Sequence, residues 1–313
     1  MYAYVIRRIL ATIPVVAVVT IFIFLLLHLT PGDPAAVIAG EYATPDAIEK
    51  IRERLGLNQP AYVQFFTWVA AVAQGDLGVS VFSNLPVTEL IGQRLEPTVF
   101  LALITIVMAI LIAVPLGTVA AWRAGSWIDR CTMLFAVLGF SVPAFVVGYL
   151  LMYAFAINLR WLPVQGYAPI AEGFWAFLQS LILPSITLGT VYTALIARIT
   201  RASVMDVLDE DYIRTAHAKG LAPRTVLLRH ALKNAAIPIV TVIGIGIALL
   251  IGGVAITESV FNIPGLGRLT VDAILHRDYP VIQGVILIFA GVYVVINLLI
   301  DLSYTYFDPR IRY

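Results

Sequence analysis

The residues of this sequence best suited to polar chemistry lie in one stretch, DEDYIRTAHAKGLAPRTVLLRHALKN, at 209–234. Acids open the stretch, and Arg, Lys and His residues follow at short intervals. Such cations bind anionic lipid headgroups or the carboxylates of a partner protein. Since apolar segments stand on both sides, the stretch is a charged elbow between two hydrophobic parts of the chain.

Motifs for catalysis are missing from the sequence. It contains no H-E-x-x-H zinc motif, no G-x-S-x-G nucleophile turn and no G-x-x-x-x-G-K-[ST] phosphate loop. The stretch GFSVP at 139–143 contains Ser141 but lacks the second glycine. We therefore expect no catalytic residue, no metal site and no cofactor in this chain. If the protein moves a solute uphill, a partner must supply the energy.

The composition is that of an integral membrane protein. Hydrophobic residues make up 60% of the chain and charged ones 12%, whereas soluble domains have about 45–50% and about 25%. Mean hydropathy is +0.93. Six runs without Asp, Glu, Lys or Arg exceed the roughly 20 residues that a membrane-spanning helix needs: 9–32, 97–122, 131–159, 173–197, 234–257 and 279–300. We predict an all-α membrane protein with six transmembrane helices.

Lys and Arg residues indicate the orientation, because they are retained preferentially on the cytoplasmic side. Placing both termini inside puts the larger share of these cations in the cytoplasmic segments, the elbow among them. The predicted topology is therefore N-in and C-in. The formal net charge of +1 gives no indication of nucleic-acid binding, and a single cysteine, Cys131, excludes an intramolecular disulfide.

One transmembrane domain is predicted to cover residues 1–313. Its parts are a first span at 1–29, an extracytoplasmic helical segment at 30–96, and a five-helix core at 97–313 that carries a cytoplasmic loop at 203–233. Helix start and stop residues in the outer segments predict short helices, which we place at 44–57, 60–75 and 269–275.

The elbow itself predicts a short helix at 210–219. Acids lie in its first turn, Lys219 lies in its last turn, and Gly220 is placed to end it. Pro223 then begins a second helix. Ile213, Ala216 and Gly220 recur at helical spacing and form a small apolar face. Two interpretations stay open: a basic helix resting on anionic lipid, or a docking element whose small face lets a partner approach.

The predicted spans offer little for coupled transport, since they contain no ionisable side chain except His28, near an outer end. Weakly polar candidates for a solute path are Ser141 and Pro143 in the third span and Asn297 in the sixth. Each has a purely structural alternative: a hydroxyl bonded to its own helix for Ser141, a kink for Pro143, and an interhelical hydrogen bond for Asn297.

The elbow resembles the cytoplasmic loop of the permeases of bacterial ATP-binding-cassette importers, whose pattern is E-A-A-x-x-x-G-x(9)-I-x-L-P. Aligned on Gly220, the pattern departs at Arg214 and His230, which replace its Glu and Ile, and at Lys233, which replaces its Pro. This variant is similar to the oligopeptide, dipeptide and nickel branch. Other motifs resemble its B-type subunits for short peptides, including glutathione: YVIRRIL at 4–10, HLTPGDP at 28–34, LGLNQP at 55–60, ESVFNIPGLGRL at 258–269, RDYPVIQ at 277–283 and DPRIRY at 308–313.

The resemblance implies a type I ABC importer permease in the bacterial inner membrane. Its expected partners are a homologous second permease in a heterodimer, two cytoplasmic ATPase subunits that bind ATP and Mg²⁺, an extracytoplasmic substrate-binding protein, and the lipid bilayer. It further implies uptake of a dipeptide, oligopeptide or glutathione by alternating access. The rival function is that of a passive channel or a secondary carrier for a small polar solute.

Site residues follow from the same resemblance. The ATPase-coupling residues are expected in the elbow: Asp211, Tyr212, Arg214, Thr215, Ala216, His217, Lys219, Gly220 and Pro223. Two residues beside the outer end of the fifth span, Glu258 and Asn262, are candidates for contact with the binding protein, the alternative being ordinary solvated loop positions.

Overall fold

The computed structural model of the protein describes residues 2–29, 34–39, 43–54 and 56–307. Parts of two motifs, at 30–33 and 55, and the whole of the motif at 308–313 lie outside these residues. The described chain is helical, with one isolated bridge between Val79 and Pro86. Its helices are α1 (Tyr2–Leu29), α2 (Pro34–Ala39), α3 (Pro45–Arg54), α4 (Ala61–Ala73), α5 (Val87–Trp122), α6 (Trp127–Ser141), α7 (Ala144–Leu151), α8 (Phe174–Leu208), α9 (Asp211–Ala218), α10 (Pro223–Thr225), α11 (Leu232–Asn234), α12 (Ala236–Val260), α13 (Leu266–Leu275) and α14 (Tyr279–Phe307).

The helical architecture confirms an all-α membrane protein. Within the described ranges, four helices are long and apolar enough to cross a bilayer, and up to six spans result if each of two bent helix pairs is one span. The four are α1, α5, α8 and α14. The count of six and the N-in/C-in orientation stay predictions. The short helices expected at 44–57, 60–75 and 269–275 are confirmed as α3, α4 and α13.

The third predicted span is not a continuous helix. α6 ends at Ser141, Val142 is extended (φ −93°, ψ 122°), and α7 begins after Pro143. The two halves, Trp127–Ser141 and Ala144–Asn158, are bent by 105°. Proline causes this break because its ring disfavours helical geometry at the preceding residue and it has no N–H to donate. The second half ends in a π-helix at Met152–Asn158.

The helices form two compact units, and the first consists of Pro97–Pro264 with the two ends of the chain, Met1–Val5 and Ile296–Tyr313. α8 is the central helix of this unit, since 72% of its most apolar stretch is buried. α6, α7 and α12 pack against α8. The unit's core contains fully buried Leu101, Leu181, Ile196, Leu250 and Phe261.

The second unit consists of Ile6–Glu96 and Gly265–Val295. Its core joins the start of α5 to α13 and α14 through Val87, Ile91, Leu266 and Val285. Asp278 anchors the loop that precedes α5. Ser80 Oγ donates to its Oδ2 at 2.5 Å, and the Val81 amide donates to its Oδ1 at 3.2 Å. Residues 265–295 therefore group with 6–96.

Candidate functional site

The charged elbow folds as the short helix α9, which spans Asp211–Ala218. Asp211 lies in its first turn, where a carboxylate interacts favourably with the helix N-terminus. Gly220 ends the helix with a φ of +76°, and its amide donates to the His217 carbonyl at 2.9 Å. Because glycine adopts this left-handed conformation without steric cost, the predicted role of Gly220 as the turn residue is confirmed. Pro223 begins α10, also as predicted.

The apolar face of α9 is buried in the protein's own interior. Ile213 and Ala216 are 2% and 7% exposed, and they belong to a cluster with Val204 of α8, Val226 and Ala231. Within this chain the small face on which docking was predicted is therefore already covered at Ile213 and Ala216. The reason is that the end of α8 and the helix after Pro223 cover it, which sequence periodicity alone cannot reveal.

The opposite face of α9 is polar and exposed. Its members are Tyr212, Arg214, Thr215, His217 and Lys219. Arg214 pairs with Asp211 at 3.3 Å, and both side chains are so exposed that solvent screens the attraction. Pro223, Arg224, Arg229 and Lys233 extend the exposed surface beyond Gly220. This surface, which we call the elbow face, can offer cations and hydroxyl groups to another molecule.

α9 is connected to the rest of the first unit on both of its sides. α8 leads into it with only Asp209 and Glu210 between them. On the other side, the Asn234 amide donates to the Tyr212 hydroxyl at 2.9 Å. Between Pro223 and α12 the chain passes through a π-helix at Val226–Ala231 and then bends by 58°. The elbow face is therefore connected to α8 on one side and to α12 on the other.

A largely buried ion pair joins α6 to α8 at a position ten residues before α9. Arg201 donates to Asp129 through Nε and, at 2.8 Å, through Nη2, and the Asp129 side chain is 7% exposed. The same carboxylate accepts from the Gly125 amide at 2.9 Å, so it closes the turn between α5 and α6. Sequence reasoning missed this pair. The pattern Ser126-x-x-Asp129 marks a helix start, yet it does not identify the arginine.

The path candidates Ser141 and Pro143 lie together at the break between α6 and α7, and both are exposed. Ser141 Oγ donates to the Val137 carbonyl at 2.9 Å, which is the intrahelical bond that its structural alternative describes. Asn297 lies in α14, half-buried, and it also forms an interaction of its own. Ser141 and Pro143 lie at one break in the chain, and Asn297 belongs to the same compact unit.

The two residues predicted to contact a binding protein, Glu258 and Asn262, differ in their exposure to solvent. Glu258 is fully buried, and Thr98 Oγ1 donates to its Oε1 at 2.5 Å. Because a buried carboxylate cannot reach a protein at the surface, the structure argues against that role for Glu258. Asn262 is exposed and has a φ of +53°. In the described part of the chain no group of three or more His, Cys, Asp and Glu residues could hold a metal ion.

The fold and the site together define a helical, multi-pass membrane protein with a polar element outside its apolar spans. Residues 113–313 match the family "Binding-protein-dependent transport system inner membrane component", and residues 1–102 match its N-terminal companion. The chain is 56% identical to "Probable peptide ABC transporter permease protein y4tP" of Sinorhizobium fredii (strain NBRC 101917 / NGR234). It is 46% identical to "Glutathione transport system permease protein GsiC" of Escherichia coli (strain K12). Both alignments cover 100% of each chain.

The chain therefore belongs to the family of binding-protein-dependent transport system inner membrane components, which confirms the family resemblance of its motifs. It is a multi-pass inner-membrane protein whose role is transport and not catalysis. Membership of this family implies a transporter complex with ATPase and substrate-binding partners.

Proposed function

We propose that this chain is a permease subunit of an ATP-driven importer that takes up short peptides by alternating access. The cargo is inferred from relatives named as peptide and glutathione permeases, which align with the chain over its whole length. One structural observation carries the mechanism: α9 buries its apolar face in the first unit and leaves the elbow face exposed. Such a helix can bind a second protein while its apolar face stays packed in the first unit.

In this proposal the elbow face docks on a cytoplasmic ATPase subunit. Tyr212, Arg214, Thr215, His217 and Lys219 supply the contacts, with Asp211 and Pro223 at the edges of the surface. Gly220 sets the turn, and Ala216 anchors the helix from behind. ATP, with Mg²⁺, binds the ATPase subunits, and its hydrolysis moves α9, α8 and α12 together.

The wider assembly follows the same proposal. A second, homologous permease completes a heterodimer, two ATPase subunits bind on the cytoplasmic side, and a substrate-binding protein delivers peptide from outside. Residues 1–313 form one permease domain. Both of its termini are cytoplasmic. The break at Ser141 and Pro143 and the side chain of Asn297 line the path, and Asn262 contacts the binding protein.

Co-purification tests the function directly. The tagged chain, extracted in mild detergent, is expected to bring a second permease and two ATPase subunits, which mass spectrometry identifies. ATP hydrolysis by this complex should rise when a binding protein and peptide are added. A chain that purifies without an ATPase partner, or solute uptake that persists after ATP depletion, would favour a passive channel or a secondary carrier.

Gly220→Val is expected to uncouple ATP hydrolysis from uptake while the complex still assembles. A Cβ at this position meets no heavy atom within 4 Å, so the expected effect comes from the φ of +76°, which a β-branched residue tolerates poorly. Uptake and ATPase activity are measured side by side in proteoliposomes. Gly220→Asn is the matched control, because Asn visits the left-handed region more readily. Uptake at the wild-type level in Gly220→Val would refute the role of this turn.

A further inference from the structure

A polar groove lies in the first unit between the connecting segment at 160–172 and the start of α8. Its volume is about 590 Å³. Two opposite charges, two aromatic rings and two amide side chains line it: Arg160, Glu172, Trp161, Tyr167, Gln165 and Gln179. The predicted topology places this segment on the extracytoplasmic side, at the outer ends of the third and fourth spans.

Hydrogen bonds hold the groove wall in place. Gln165 Nε2 donates to the Val260 carbonyl at 2.9 Å, and the Gly166 amide donates to the Phe261 carbonyl at 2.9 Å. Both acceptors lie at the end of α12. The Tyr167 ring meets the buried Phe177 ring edge to face, with centroids 6.2 Å apart. A wall fixed in this way loses little conformational freedom when a ligand binds.

The two charges in the groove are available to a ligand. Arg160 and Glu172 are both exposed, and neither forms an ion pair within the described residues. Arg160 also has a φ of +55°, a left-handed conformation that residues other than glycine adopt infrequently. Arg160 therefore lines this edge of the groove from a left-handed turn position.

We propose that this groove binds a short peptide in its zwitterionic form, a proposal that rests on the proposed peptide-uptake function. Glu172 receives the terminal ammonium group, and Arg160 receives the terminal carboxylate in bidentate geometry. Trp161, Tyr167 and the amide side chains contact the peptide backbone and side chains without strong selection among them. A ligand with one sign of charge would leave a like charge facing it, so neither an anionic lipid nor a simple cation fits both ends.

The first measurement is a titration of the purified complex, without the binding protein, by tryptophan fluorescence. The probes are trialanine, N-acetyl-trialanine and trialanine amide, and Trp161→Phe isolates the signal that belongs to the groove. Glu172→Gln should raise the apparent Kd for trialanine about twofold to fivefold, the range of an exposed ion pair, and leave N-acetyl-trialanine unchanged. Arg160→Gln should do the same for trialanine and leave the amide unchanged.

Arg277→Gln is the matched control, since Arg277 is also an exposed arginine after a helix, with a φ of +55°, and it does not line the groove. It should leave all three Kd values unchanged. ATP-dependent uptake of trialanine by the wild-type complex with its binding protein is measured in parallel. Uptake without a Trp161-dependent signal, or with unaltered Kd values in both variants, overturns the groove alone. Absence of ATP-dependent uptake overturns the peptide importer and the groove's role together.

Discussion

Gly117→Ala is expected to lower the thermal unfolding temperature of the protein and to reduce uptake with it. At Gly117, α5 approaches α8 so closely that a Cβ would lie 2.5 Å from the Ala197 carbonyl oxygen and 2.7 Å from Thr200 Cβ. The first of these is a backbone atom of the central helix, which cannot rotate away as a flexible side chain can. The two helices must separate, and overpacking of this kind costs about 1–3 kcal/mol.

The separation would also displace Arg201, whose amide nitrogen lies 3.1 Å from the same Cβ position. The matched control is Gly291→Ala in α14, where a Cβ meets no heavy atom within 4 Å. Alanine is a better helix former than glycine by about 1 kcal/mol, so this control should be as stable as the wild type or slightly more so. Equal unfolding temperatures for the two variants, measured in the same detergent, would refute the close approach of α5 and α8.

The local features of the elbow were predictable because local chemistry determines them. Acids in a first turn, Gly220 after the last turn and Pro223 at the next start specify α9 and its neighbour without reference to the rest of the chain. The positions of the apolar helices were equally predictable, because each corresponds to a long run of residues without charged side chains. The break of the third span was partly visible in Pro143, although a proline does not specify a bend of 105°.

The rest depends on which helices become neighbours, and local patterns in the sequence do not indicate this. The pattern of Ile213 and Ala216 shows that α9 has an apolar face, but only the packing of Val204 and Val226 shows that this chain buries it. Asp129 and Arg201 are 72 positions apart in the sequence. The groove, likewise, is a product of a fixed loop conformation and not of a motif.

Asp129→Asn is expected to destabilise the first unit by about 2–3 kcal/mol. The amide cannot form the bidentate, charge-assisted pair with Arg201, and it leaves a largely buried guanidinium without its counter-charge. Breaking a fully buried pair costs about 3–5 kcal/mol; the Arg201 side chain is 23% exposed, so solvent offsets part of that cost. The measurement is the unfolding midpoint of the purified complex in denaturant or on heating.

Glu49→Gln is the matched control, because Glu49 pairs with Arg52 at 2.8 Å in an exposed pair on α3, and exposed pairs contribute at most about 1 kcal/mol. The exchange of both partners, Asp129→Arg with Arg201→Asp, should recover part of the lost stability. The pair joins the α5–α6 turn to α8 ten residues before α9, so the single variant should also lower the uptake obtained per ATP hydrolysed. If Asp129→Asn loses no more stability than Glu49→Gln, the ion pair does not fasten α6 to α8.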